Sequence, residues 1–307
     1  MARIRYEIDL TLRAFSQTVP PGAVTQYSPD PCNSEERYAQ FRERILENRG
    51  YLPIYRMSDG EFTFICGKRR LPLRAVARFP WRTLKSWLRP LIKRDGPVFV
   101  SGGTGTIPEI YTPEEWQRLR YGYEERVAAI ARKGLLAVNL VRQRNDLFCM
   151  QYIDPMWDWF ESTGIQIGLH NYYPFYFVYA LFLGPDATRV VGGREVLVVT
   201  ADEGGSKLAT IGRRLTTLGA KRVVFISISS KKSMMDRIDV SQTGKIDLVL
   251  IGAGVGALNI LEQVESLQTT SIDVGHVLDC YWKPEQFVGQ RHFSAPDQPL
   301  LVKSANQ

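Results

Sequence analysis

Two short segments carry residue types whose spacing can do chemistry. The first is Arg56-Met57-Ser58-Asp59-Gly60-Glu61. Asp59 and Glu61 are separated by a glycine that lets the chain turn tightly. Two carboxylates converging there can hold a divalent cation, which prefers oxygen ligands. Arg56 can offset their charge or hold a phosphate. The same residues also suit a solvated turn capped by Asp59. The second segment is Asp273-Val274-Gly275-His276, followed by Asp279, Tyr281 and Trp282. An Asp and a His three apart can share one ligand or metal, although a lone His is also a common structural residue.

A third segment, Gly252-Ala253-Gly254-Val255-Gly256-Ala257, satisfies the GxGxxA spacing, and Asp273 lies 21 residues beyond Gly252. Glycines there allow a phosphate to approach the backbone closely. Such a turn usually opens its domain, whereas this one comes late, which favours a nucleotide diphosphate over NAD. Tight helix–strand packing is the plainer explanation. The aromatic run Tyr172, Tyr173, Phe175, Tyr176, Phe177 and Tyr179 can stack on sugar rings; a buried helix is the simpler expectation. Ser101–Thr106 (SGGTGT) is glycine-rich but lacks a Walker lysine, and there is no GxSxG elbow or HExxH pair, so hydrolase and zinc-peptidase chemistry has no support.

The elements that must position these residues follow from periodicity. Leu52–Arg56 lies in a short predicted strand, Tyr51–Arg56, preceded by a helix over Ser34–Arg49 and followed by one over Gly60–Cys66. Glu195–Thr200, Arg222–Ser227, Asp247–Ile251 and Thr270–Asp273 are apolar, β-branched runs that read as strands. Each of the first three is followed by a helical stretch or a glycine-rich turn, the signature of βαβ units. A capping box, with Thr112, Pro113 and Glu115, opens a predicted helix over Thr112–Lys133. Pro97–Ser101 reads as a further strand. The expected fold is one α/β domain with a Rossmann-like, mostly parallel sheet and helices on both faces. Its expected extent is residues 34–290, between an N-terminal extension, 1–33, and a tail, 291–307.

The chain has 307 residues, 44% hydrophobic and 23% charged, which excludes disorder and coiled coil and permits a large core. Its four cysteines form no CxxC pair, which excludes a zinc ribbon and suits a reducing compartment. The net charge of +7 is local: ten basic residues and no acid fall between Phe62 and Arg94. A local patch suits one anionic partner better than nucleic acid, which is not expected. Residues 80–94 read as a basic amphipathic helix, with Trp81, Leu84, Trp87, Leu88 and Leu91 on one face, able to rest on an anionic membrane surface. Residues 162–185 carry no formal charge, but the strongly apolar run is only Phe175–Leu183, too short to cross a bilayer. No signal-peptide pattern is visible, and the expected location is cytoplasmic, with peripheral attachment to the membrane as a further expectation.

Taken together, Arg56–Glu61 resembles the R-x-G-D-G-E element of the GT-D-type glycosyltransferases, and Ile272–Trp282 (IDVGHVLDCYW) resembles their C-terminal D-x-G-H element. The resemblance spans roughly residues 35–285. It implies a metal-dependent hexosyl transfer from a nucleotide-sugar donor, usually a UDP-sugar, to a carbohydrate or lipid-linked acceptor, as in polysaccharide biosynthesis. It implies a divalent cation, Mn²⁺ or Mg²⁺, held by Asp59 and Glu61, with Asp273 and His276 beside the donor diphosphate and His276 as a further metal ligand. Arg56, Gly60, Gly252 and Gly254 complete the expected donor site. The chain departs from the family at Ser58, where a glycine is usual. It departs again at Leu278 and Cys280, where the family has acids; Asp279 falls between them. Two other functions fit the residues: a nicotinamide-dependent oxidoreductase using Gly252, Gly254, Ala257 and Asp273, and a non-enzymatic membrane-surface scaffold using the basic helix.

Overall fold

A computed structural model describes residues 35–66, 111–138, 154–168, 170–202 and 204–284; the side chain of Asp59 lies outside it. The elements before the site are α1 (Glu35–Glu47), β1 (Leu52–Met57) and α2 (Asp59–Cys66). Next come α3 (Pro113–Arg120), α4 (Tyr123–Lys133), β2 (Leu135–Val138), α5 (Asp154–Thr163), β3 (Tyr172–Pro174), α6 (Tyr176–Leu183) and α7 (Ala187–Val191). The remainder comprises β4 (Glu195–Ala201), α8 (Ser206–Thr217), β5 (Arg222–Ile228), β6 (Leu248–Gly252), α9 (Ala257–Gln263), β7 (Thr270–Asp273) and α10 (Val277–Trp282). Short 3₁₀ turns stand at Ser233–Met235, Gly254–Gly256 and Glu265–Leu267.

The seven strands form one sheet in the order β3-β2-β1-β7-β6-β4-β5, and every pair is parallel. Side chains alternate across it because the strand period is two. Tyr55, Met57, Leu136, Val138, Leu197, Val199, Val249 and Ile251 enter one core, which also takes Val127, Ile130, Leu258 and Leu261. Ile54, Leu135, Ala137, Val196, Val198, Leu250 and Ile272 enter the other, with Phe41, Phe177, Ile211 and Leu215. Both faces are thus covered by helices, which is why the strands are continuous apolar runs. The α/β class and the doubly covered sheet agree with the sequence.

Two expectations are corrected. The predicted helix over 112–133 is two helices, because Gly122 sits at φ 73° and breaks it. The capping box is present at its start: the Glu115 N–H donates to Thr112 Oγ1 at 3.2 Å and the Thr112 N–H to Glu115 Oε2 at 2.9 Å. The aromatic run is not one helix either; Tyr172–Pro174 pairs with β2 as an edge strand before α6 begins. The strand expected at 97–101, the glycine-rich segment 101–106, the basic helix at 80–94 and both terminal extensions lie outside the described residues. Among the described residues no helix is long and apolar enough to cross a membrane.

Candidate active site

β1 and β7 are neighbours at the centre of the sheet. Beyond their carboxyl ends the chain leaves in opposite directions. α2 sends Phe62, Phe64 and Ile65 into the core on one face. α10 sends Val277, Leu278 and Tyr281 into the core on the other. The carboxyl ends of the strands are where open α/β sheets bind their ligands. Both acidic segments end there, although they are far apart in the chain.

Arg56, Glu61 and Asp273 are all buried, Asp273 completely. Arg56 donates from Nη1 to the Tyr179 hydroxyl at 2.6 Å, and its guanidinium carbon stands 5.5 Å from the centre of that ring. Gly275 lies against the same guanidinium: at φ 49° it has no Cβ, and a Cβ would fall onto Arg56 Nη2. Asp273 Oδ1 accepts from the Gly275 N–H at 3.1 Å, which fixes the turn. Asp273 Oδ2 is buried with no hydrogen-bond partner among the described residues. Glu61 Oε2 accepts from the Ser58 N–H at 2.9 Å and so closes the first turn of α2, as a capping-box acid does. The turn is therefore capped, and its Arg56 and Glu61 side chains are buried rather than solvated.

Burial dominates the electrostatics. Desolvation pushes the Glu61 carboxyl up to about 8; Arg56 opposes the rise and Asp273 adds to it. Desolvation pushes Asp273 up to about 6, against the pull of Arg56 and of the Arg56 and Gly275 N–H groups. Beneath them the hydroxyls of Tyr55 and Tyr123 meet at 2.5 Å, both buried, and both are held far from ionising by burial and by neighbouring groups that include Glu61. Two buried acids face one described arginine, and one acid oxygen lacks a donor. Such a cluster suits an added cation, since an unmatched buried carboxylate is costly. Among the described residues, no three His, Cys, Asp or Glu side chains form a metal-sized group. His276 precedes α10, where its carbonyl accepts the Cys280 N–H at 2.9 Å, and is not brought into one group with Glu61 and Asp273.

The glycine-rich turn follows β6 at the same end of the sheet. A Cβ on Gly60 would stand 3.3 Å from Val255 Cγ1, so α2 packs on this turn. Gly252 faces Leu278 and Thr200, and a Cβ on Gly256 would enter Ser233. Both are packing glycines. Gly254, at φ 54° with open space around its missing Cβ, is the one whose backbone a ligand can approach. An NAD-binding acid must be open to a ribose hydroxyl, and Asp273 is not.

Sequence reasoning missed three parts. Tyr179 was legible as an aromatic but not as the partner of Arg56. Tyr55 and Tyr123 meet only through the packing of α4 on β1. Lys207, on the first turn of α8, is buried and pairs with Asp279 at 3.0 Å beside the Trp282 ring. That pairing holds the acid that stands out of register with the resembled family.

No family model and no curated protein matches the chain. Two solved structures resemble it. One is described as a new glycosyltransferase (DUF1792) from Streptococcus sanguinis, 12% identical over 83% of this chain and 90% of that one, with a TM-score of 0.46. The other is a selenomethionine-substituted domain of unknown function 1792, 14% identical over 81% of this chain and 86% of that one, with a TM-score of 0.43. At such scores the likeness carries no argument about activity, and the functional reading rests on the site.

Proposed function

We propose that this chain is a metal-dependent glycosyltransferase that moves a sugar from a nucleotide-sugar donor, a UDP-sugar, to a glycan, glycolipid or glycoprotein acceptor. One observation carries the reading. The R-x-x-D-G-E and D-x-G-H segments, which resemble the two elements of one glycosyltransferase family, converge at the carboxyl ends of adjacent strands, with Arg56, Glu61 and Asp273 buried together. In this reading Asp59 and Glu61 hold a divalent cation. When bound, the cation offsets charge on the departing diphosphate.

The remaining chemistry belongs to the chain. Arg56 presents a fixed cation beside the leaving group and is already oriented before the donor arrives, so little reorganisation is needed. Burial raises the Glu61 carboxyl to about 8, so a cation binding there would displace a proton from it. Asp273 holds Gly275 in the turn that leaves room for Arg56. Gly254 keeps the backbone accessible to a phosphate.

The test is UDP release from a panel of UDP-sugars with Mn²⁺, Mg²⁺ or EDTA. Cation-dependent release supports the reading. Undiminished turnover in EDTA removes the metal mechanism. Tight NAD(H) binding with no response to UDP-sugars replaces the reading with an oxidoreductase.

A further inference from the structure

We infer that Tyr179 is a positioning residue for Arg56, and that its hydroxyl holds the guanidinium in the orientation in which it meets the donor's phosphate. The inference rests on the glycosyltransferase reading for the identity of that phosphate, but its geometry stands alone. The Arg56 guanidinium is confined from two sides. The Tyr179 hydroxyl, on α6, accepts a hydrogen bond from Nη1 at 2.6 Å, and its ring centre stands 5.5 Å from the guanidinium carbon. Gly275, beyond β7, closes on Nη2 so tightly that no side chain fits there. Tyr179 is itself 3% exposed, so its hydroxyl is as fixed as the arginine it holds.

The chemistry of the partner matters. A carboxylate in the place of Tyr179 would neutralise the guanidinium locally. A phenol oxygen orients it without adding a further negative charge to those of Glu61 and Asp273. An arginine held this way has surrendered its rotamer freedom on folding rather than on binding, which raises affinity without a new contact to the ligand. The aromatic segment of α6 thus has a task beyond filling the core: one of its rings carries the only polar atom of the element that reaches the Arg56 guanidinium among the described residues.

The experiment has two readouts. The first is UDP affinity by calorimetry, with Mg²⁺, for the wild type, Tyr179→Phe, Arg56→Lys and the double variant. Tyr179→Phe is expected to weaken UDP about tenfold, which corresponds to about 1.4 kcal/mol. In the Arg56→Lys background it is expected to add little, since residues that act through one another are not additive. Equal effects in both backgrounds, or wild-type affinity in Tyr179→Phe, overturn the inference while leaving the glycosyltransferase reading intact. Absence of UDP binding by the wild type overturns the reading, and the phosphate role of Arg56 falls with it. The second readout needs no ligand: the Arg56 Nη resonances in side-chain ¹⁵N spectra, assigned by their loss in Arg56→Lys. Slow guanidinium rotation in the wild type that becomes fast in Tyr179→Phe supports the clamp. Fast rotation in the wild type overturns it, even if Tyr179→Phe does not fold.

Discussion

Replacing Glu61 by Gln tests whether the site is held at a cost to the fold. Glu61 is 3% exposed, and burial raises its carboxyl from 4.5 to about 8. A carboxyl raised in the folded state favours folding at low pH and loses that advantage as pH climbs from 4.5 to about 8. At pH 7.5 that span covers three tenfold steps of about 1.4 kcal/mol each, an upper limit of about 4 kcal/mol before relaxation of the site. Glutamine has the same shape, carries no charge and can still accept the Ser58 N–H through its carbonyl oxygen. In EDTA at pH 7.5, Glu61→Gln is therefore expected to be more stable than the wild type by roughly 2–4 kcal/mol. At pH 5.5 the difference is expected to shrink to about 1 kcal/mol. Denaturant melts at the two pH values measure both, and turnover with UDP-sugars is expected to be lost. A variant less stable than the wild type at pH 7.5, or a difference that does not grow with pH, refutes the account of Glu61 as a strained, buried acid.

Three further outcomes are expected. Gly275→Ala places a methyl on the Arg56 guanidinium at φ 49°, and should cost about 1–3 kcal/mol in denaturant unfolding together with a loss of UDP affinity. Gly256→Ala should cost about 1–3 kcal/mol by overpacking against Ser233. Gly254→Val, which meets open space, should keep the fold apart from about 1–2 kcal/mol of left-handed strain and weaken nucleotide-sugar binding by calorimetry. Asp59→Asn should melt near the wild type in EDTA yet lose nearly all turnover and the extra stabilisation that Mn²⁺ with UDP confers.

Strands β4 and β6 were legible because an inner parallel strand is buried on both faces, so Val196–Val199 and Leu248–Ile251 must be continuous apolar runs. β2 was missed because Leu135–Val138 follows α4 after one glycine, and β3 because its two tyrosines merge with the aromatic run of the helix that follows. The break at Gly122 competes with strong helical periodicity on both sides, and only its left-handed backbone decides it. Arg56, Glu61 and Asp273, which the structure buries together, could be singled out from residue type and spacing. Tyr179 could not, because its nearness to Arg56 depends on where α6 packs against the sheet. Nor could the burial of Glu61, whose neighbour Gly60 packs on the turn at Val255 from a distant part of the chain.

The place of β7 has a consequence for how the protein comes into being. On one side of it lie β3, β2 and β1; on the other lie β6, β4 and β5. During synthesis both groups emerge before Thr270–Asp273 does. Until then β1 and β6 each present an open edge, the kind of surface that recruits stray strands. Closure waits for a segment of four residues that must find both edges at once, a late and long-range event that should make folding slow and dependent on protection from aggregation. Arg56 and Asp273 arrive on opposite sides of that closing seam. Arg56 and Asp273 therefore come together only once the sheet is complete, and Asp273 does not weigh on the fold before then.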